Sequence, residues 1–466
     1  MTSAAPDVRL AATLLREALG DRLLLPGDPG HAAAVRLWNA AVDRAPALLA
    51  RCVDAEEVAL ALRVARRCHL PLSVRAGGHD WAGRALRDGG LVLDLTLMRR
   101  VDLDAPAEEV TVAGGATAAD VLAVTGPHDL VVATGVVRAV GMAGLTLAGG
   151  YGPLCGRYGL ALDNLLGAEV VLADGRRVTA GPGHDAELHW ALRGGGGNFG
   201  VVTALRLRTH RLPAALAGMI MFPLDQAAAV LRGYRAVIAD APDELTVMAG
   251  FLAGAGGEPL VFVFPTYVGP DPAAGWPWVE RLRALGDPVV DQVAPMPYDE
   301  VLRMFDGGMV DGNHYLLRTR WLGTLADAAV EALVDAARRI TSPYSTLALH
   351  HFHGAASRVG AGDTAFGLRA DHLLVEVIAV WRPGDDPGRH REWAERTSAA
   401  LAPHALPGGY PNLLAPAETD RVRLAYGDNW DRLRRAKRRY DPRGVFSAVP
   451  TLPPSTPSPP PGPGPG

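Results

Sequence analysis

The run Val74-Arg75-Ala76-Gly77-Gly78-His79-Asp80 sets a nucleophilic imidazole inside a turn of the phosphate-binding type. Its glycines remove side chains, so successive backbone N–H groups can approach a pyrophosphate, and Arg75 adds positive charge nearby. A histidine at that point can reach the ring system of a cofactor held by its phosphates. A second concentration, VGMAGLTLAGGYG from Val140 to Gly152, places Gly141, Gly144, Gly149, Gly150 and Gly152 where the main chain can press on a large flat ligand. A flavin needs N–H donors of that kind near N1 and O2, where negative charge grows on reduction.

Other motifs point elsewhere and fail on context. Gly194 to Gly200, GGGGNFG, formally contains GxGxxG. A dinucleotide-binding turn needs a strand before it and a helix after it, whereas here Asp185 to Arg193 reads as helix and Val201 to Arg208 alternates like a strand. His350-His351-Phe352-His353 puts His351 and His353 on one face of a strand, but two histidines without a third ligand make a poor metal site. No metal is expected, and the histidines are read as lining a substrate pocket or the sheet surface. No GxSxG elbow, HExxH helix or P-loop occurs.

The elements that must position these residues are readable upstream and downstream. Asp54 to Glu57 has capping-box spacing, and Val58, Ala61, Leu62 and Ala65 recur at helical intervals up to about Cys68. Apolar runs at 47–53 and 70–74 flank that helix as buried strands, so the Arg75 turn leaves the end of the second. Residues 91–95 and 109–113 read as further strands, and 117–124 as a helix. The glycine-dense tract from Gly135 to Gly159 suits neither helix nor strand over its whole length. Beyond Pro213 come longer amphipathic helices, such as 225–240 and 324–339, alternating with apolar strands such as 260–264 and 373–380. The tail PPSTPSPPPGPGPG from Pro453 has the composition of a disordered segment.

Taken together, the RAGGHD run, the Val140 to Gly152 tract continued by CGRYGLALDN to Asn164, and HDAELHWALRGGGGNFGVVT closing at Thr203 resemble one family. It is the berberine-bridge-enzyme-like branch of the vanillyl-alcohol oxidase and p-cresol methylhydroxylase superfamily of flavoproteins. The resemblance runs from about Gly27 to Pro450. It implies an FAD bonded through its 8-methyl carbon to His79, with the backbone at Val202 beside the adenine. Relatives that attach FAD twice use a cysteine in a GVC run; this chain has Gly135-Val136-Val137 there, so a single link is expected, with Cys155 a small buried residue. The resemblance also makes the side chain at Val140 a control on oxygen access, valine going with oxidases. It places Tyr410 and Asn412, in a YxN-like run, by the flavin ring, and Tyr151 facing substrate. The tyrosine several relatives carry directly after that run is Leu413 here, and the asparagine of the closing YDPxNxF run is Gly444.

A tyrosine base needs a cation or hydrogen-bond donor to work near neutrality, and Arg75 is one candidate supplier. Glu376 offers a carboxylate in the apolar strand 373–380. Two readings of it compete, a substrate-facing base, as a strand glutamate is in berberine bridge enzymes, or an edge residue turned to solvent.

With 466 residues and 48% apolar content the chain supports a full core and two domains. A net charge of -4, from 46 basic and 50 acidic residues, gives no reason to expect nucleic acid or an anionic membrane as partner. Cys52, Cys68 and Cys155 are too scattered for a disulfide framework. The apolar residues of the first twenty positions are interrupted by charges, and no run is long enough to span a bilayer, which reads as cytoplasmic. The expected architecture is α+β: a two-subdomain FAD-binding domain of the p-cresol-methylhydroxylase type over 1–212, completed by 411–452, and a substrate domain over 213–410 with a helix-covered antiparallel sheet. The expected activity is oxidation of an alcohol, an amine or an activated C–H in a small organic or natural-product substrate, with dioxygen reduced to hydrogen peroxide. A dehydrogenase with another acceptor and a flavin-binding scaffold without turnover remain as alternatives, and the sequence leaves substrate and oligomeric state open.

Overall fold

A computed structural model describes residues 5–448, 450 and 452, so the Pro/Gly-rich tail lies outside the described residues. Three large sheets organise the described residues, beside a two-stranded pairing of Leu130–Val131 with His210–Arg211. The first has strand order Leu23–Leu24, Leu48–Arg51, Leu91–Asp94, Leu72–Arg75, with the last three parallel. The helix Ala55–Arg67 makes the crossover. Asp54 caps it by accepting from the Glu57 N–H at 2.8 Å, and its apolar stripe, Val58, Ala61, Leu62 and Ala65, is buried against the sheet. The glycine turn therefore leaves the C-terminal end of the edge strand Leu72–Arg75.

The second sheet is antiparallel and five-stranded, in the order Val101–Asp104, Glu109–Ala113, Val201–Arg208, Leu165–Val171, Arg177–Ala180. The third, of nine strands, is antiparallel throughout and built from residues between Ala215 and Trp381. Helices Ala227–Ala239, Asp327–Arg338 and Pro387–Leu401 cover one of its faces. Along the strand His372–Trp381 the alternation is strict: Leu373, Val375, Val377 and Ala379 pack under the helices, while Leu374 and Ile378 face the other way. Glu376 shares that second face. No helix among the described residues is long and apolar enough to cross a membrane.

The glycine tract differs in part from its sequence reading. A helix, Met142–Ala148, runs between Gly141 and Gly149 and carries Gly144 in its interior. Glycine there costs about 1 kcal/mol of helix propensity. Burial of Met142, Leu145 and Leu147 outweighs that cost, which the local glycine density conceals.

The C-terminal helix Trp430–Tyr440 packs Leu433, Ala436 and Tyr440 against Leu188, Phe199 and Val202. Lys437, the one lysine of the chain, is 2% exposed and donates to Asp441 (2.7 Å) and to the carbonyls of Asn198 (2.7 Å) and Phe446 (2.8 Å). Asp441 in turn accepts from the N–H groups of Val445 and Phe446. It therefore holds the closing turn at Gly444, whose φ of 66° suits glycine, without an asparagine side chain.

A second buried ion pair ties the glycine tract to the large sheet. Arg369 donates both terminal nitrogens to Asp163, at 2.8 and 2.9 Å, and also reaches the Ala356 carbonyl and Thr364. Both side chains are under 10% exposed. Asp163→Asn leaves a buried guanidinium without its counter-charge, and a loss of about 3–5 kcal/mol is expected in reversible denaturant unfolding; a loss under about 1 kcal/mol would contradict this account.

Candidate functional site

One large cavity lies where the three sheets meet, with about 1840 Å³ of space free of atoms when its open mouth is counted. The turn supplies Ala76, Gly77, Gly78, His79 and Asp80; the tract supplies Val140, Gly141, Gly144, Gly150 and Tyr151; Val202 enters from the second sheet. Glu376, Tyr410 and Asn412 close it from the side of the large sheet and the chain that follows. Residues hundreds of positions apart thus face one space.

Four sequence-predicted residues stand outside the lining. Gly135, Gly149 and Gly152 pack against neighbouring chain, and a Cβ on Gly149 would lie 2.8 Å from the Tyr410 ring. Arg75 is a correction of a different kind. Its guanidinium packs behind Gly78 and donates to the Ala34 carbonyl, so it stands outside the cavity lining and hydrogen-bonds neither tyrosine. The arginine that does line the cavity is Arg84, which pairs with Asp80 at 2.8 Å and reaches the carbonyls of Asn412 (3.2 Å) and Leu414. Asp80 also accepts from the N–H groups of Ala82 and Arg84. The histidine turn and the Tyr410 segment are locked together by this one side chain.

The cavity suits FAD on two observations. Gly144 and Gly196 line it, yet a Cβ built on either meets nothing within 4 Å, so free space lies directly against bare main chain. Among the described residues the N–H groups of Gly77, Gly78 and His79 have no hydrogen-bond acceptor, which leaves a row of donors for phosphate oxygens. His79 is half-buried and its ring is held down to about 4 by desolvation, so it is a neutral imidazole with a free lone pair at neutral pH.

The tyrosines are arranged unlike free phenolate bases. The Gly150 N–H donates to the Tyr410 oxygen at 3.0 Å, and burial raises this phenol. Tyr151 is raised well above its ordinary value, again by burial, and lies 2.8 Å from His372 Nε2. His372 Nδ1 is 2.7 Å from the Ala370 carbonyl, an acceptor, so Nδ1 carries the hydrogen and Nε2 accepts from Tyr151. Glu376 has no such network: His350 Nε2 is 3.4 Å away, in ion-pair rather than hydrogen-bond geometry. The register explains the neighbour, since Ala348 lies opposite Glu376 and His350 opposite Leu374 on the same face. His350 lines the cavity, whereas His351 and His353 stack on each other at 3.8 Å away from its lining. Among the described residues no group of three metal-ligating side chains converges.

Cys155 is buried outside the lining, with its thiol donating to the His351 carbonyl at 3.1 Å and pushed up to about 12 by desolvation. Val137 lines the cavity. Trp38 and Arg84 were missed in the sequence, and His350, read there as lining a pocket or the sheet surface, lines the cavity beside Glu376. The partners of the first two, at 79 and 412, are remote in the chain, and no local spacing marks them.

A fold of this kind, with a glycine cradle and an imidazole at a phosphate-type turn, defines an FAD-binding flavoprotein. Family models agree: an FAD-binding domain matches residues 46–181, and a berberine and berberine-like domain matches 409–451. The (R)-6-hydroxynicotine oxidase of Paenarthrobacter nicotinovorans is 31% identical over 444 residues, covering 91% of this chain and 94% of that protein. The FAD-linked oxidoreductase aurO of Gibberella zeae is 28% identical over 449 residues, covering 94% and 87%. The crystal structure of 6-hydroxy-D-nicotine oxidase from Arthrobacter nicotinovorans superposes with TM-score 0.85 at 30% identity, covering 95% of this chain and 100% of that one. Berberine bridge enzyme, at 20% identity, shares the fold with TM-score 0.85, covering 97% and 100%. The chain belongs to the berberine-bridge-enzyme-like branch of the vanillyl-alcohol oxidase and p-cresol methylhydroxylase superfamily, and it is an FAD-dependent oxidoreductase.

The histidines behind the cavity make a measurable prediction. His353 and His372 are drawn down to about 4 by burial, and His351 is held well below its ordinary value by the same cause. Unfolded histidines take up protons near pH 6.5, so between 6.5 and 4 the unfolded state binds more protons than the folded one, and stability drains as pH falls through that window. The depression is worth roughly 3 kcal/mol for each of His353 and His372 once pH 4 is reached. Thermal melts of the flavin-loaded protein should show Tm falling steadily from pH 6.5 to 4.5; a level Tm would contradict the assignment.

Proposed function

We propose that FAD is held by a single covalent bond to His79 and that the protein is an oxidase of a small organic substrate carrying an alcohol, an amine or an activated C–H. The observation that carries this reading is a neutral, half-buried imidazole lining the same cavity as the glycine cradle. Bound FAD supplies a two-electron acceptor that takes a hydride equivalent from substrate and passes the electrons to dioxygen, giving hydrogen peroxide. The main chain of Gly77 to His79 holds its phosphates, and the Met142–Ala148 helix backs its ring.

Glu376 accepts the substrate proton. It is the one carboxylate on the cavity face of the strand His372–Trp381, and its nearest ionisable neighbour at ion-pair distance is His350. Its facing supports a base over a solvent-turned edge residue. Tyr410 and Tyr151 bind and orient the substrate as hydroxyl groups, since burial disfavours their phenolates. The small side chain of Val140 in the lining supports access by dioxygen. The FAD module comprises 1–212 with 411–452, and the roof 213–410. The three buried thiols, none in a disulfide, agree with a cytoplasmic setting.

Acid precipitation tests the linkage: flavin colour and the mass of FAD should stay with the wild-type polypeptide and be released from His79→Ala. A panel that includes (R)-6-hydroxynicotine, other amines and alcohols, read by peroxide release, then tests the oxidase reading; a protein bleached by substrate in the absence of air but not recoloured by air would be a dehydrogenase. With any substrate so found, Glu376→Gln should lower the rate of anaerobic flavin bleaching by about 10²–10⁴-fold. Unchanged bleaching would remove Glu376 from this role.

A further inference from the structure

Trp38 lies face to face with His79, ring centroids 4.3 Å apart and planes 13° from parallel. The indole is 8% exposed and cannot swing away. Trp81 meets it edge-on at 4.8 Å and 86°, and Tyr315 leans on it at 4.3 Å. The next residue clamps it from two directions. Asn39 Nδ2 donates to the carbonyls of Trp81 (3.0 Å) and Tyr315 (3.2 Å), and its Oδ1 accepts from the N–H groups of Tyr315 and Ala41, both at 3.0 Å. Trp81 belongs to the histidine turn, and Tyr315 to the strand His314–Leu322 of the large sheet.

An imidazole side chain turns freely about two bonds, and only orientations that bring a ring nitrogen to the cavity can form a bond to a cofactor there. Stacking removes that freedom. One face of the His79 ring is covered by an immobile indole, which restricts the ring to orientations parallel to that face at the cavity wall. We propose that Trp38 is a positioning residue for cofactor attachment, holding the His79 ring with a nitrogen lone pair presented to the cavity; this rests on the covalent reading given above. In the attachment step a C–N bond forms while the flavin methyl C–H and the imidazole N–H bonds are lost. The electron pair passes into the flavin ring, and dioxygen removes it with the two protons as hydrogen peroxide. The burial that keeps His79 neutral preserves the lone pair which the stack aims.

The test is the rate at which flavin becomes acid-stable. Wild type, Trp38→Phe and Trp38→Leu, each produced with limiting flavin, are incubated with FAD in air, and samples are precipitated with acid and weighed by intact mass. Trp38→Phe keeps an aromatic face and should attach FAD at close to the wild-type rate. Trp38→Leu should bind FAD, shown by its visible spectrum before acid, yet attach it at least about ten-fold more slowly. Attachment by Trp38→Leu at the wild-type rate overturns the proposal. Release of all flavin from wild type overturns instead the covalent reading on which it stands, so the two failures are distinguishable. Should Trp38→Leu not fold, Asn39→Ser keeps the indole but loosens its clamp; slowed attachment is then expected, and an unchanged rate overturns the proposal.

Discussion

Two charges buried together decide where the halves of the site stand. Asp163 follows the glycine tract, and Arg369 precedes the strand that carries Glu376, with 206 positions between them. A guanidinium in the interior is tolerable only when its charge and its N–H groups are satisfied. Asp163 neutralises it through two bonds, and Thr364 and the Ala356 carbonyl take further donors, which leaves Nε alone without a partner among the described residues. The distance from the glycine cradle to the sheet above it is therefore set by a contact that tolerates little displacement, because any separation strands a charge away from water.

Polar contacts of the same kind complete the closure. Arg84 joins the histidine turn to the chain around Tyr410, and the Gly150 N–H holds the Tyr410 hydroxyl. Gly149 then has to be glycine, since any side chain there would strike the Tyr410 ring. The cavity is apolar over most of its wall, and its few polar groups converge from each of these joints. Backbone donors without partners and a carboxylate both line it, so the cavity offers two kinds of contact to a ligand atom.

Much of this was legible from residue order. The strand at 72–75, the capped helix before it and the antiparallel strand at 201–208 follow from runs and caps whose information is local. The helix inside the glycine tract was hidden because its stability comes from burial of Met142, Leu145 and Leu147, not from propensity. The facing of Glu376 could not be settled by alternation, since both faces of its strand are covered and apolar residues occupy both. Arg75 shows the opposite failure. A charge adjacent in sequence to a phosphate-type turn was read as a charge within it, whereas the carbonyl of Ala34 offers that guanidinium a partner beneath the turn. Trp38 and Arg84 gain their meaning only from partners that folding brings near.

The single lysine gives the molecule an unusual chemical surface. Every other positive side chain on it is an arginine or a histidine, while the ε-amine of Lys437 is spent on three oxygens inside the C-terminal turn. An amine-acylating reagent applied to the native protein finds no exposed side-chain amine among the described residues. Modification at Lys437 would then record one event only, the release of the closing turn from the body of the molecule, and its rate would time that release without any engineered probe.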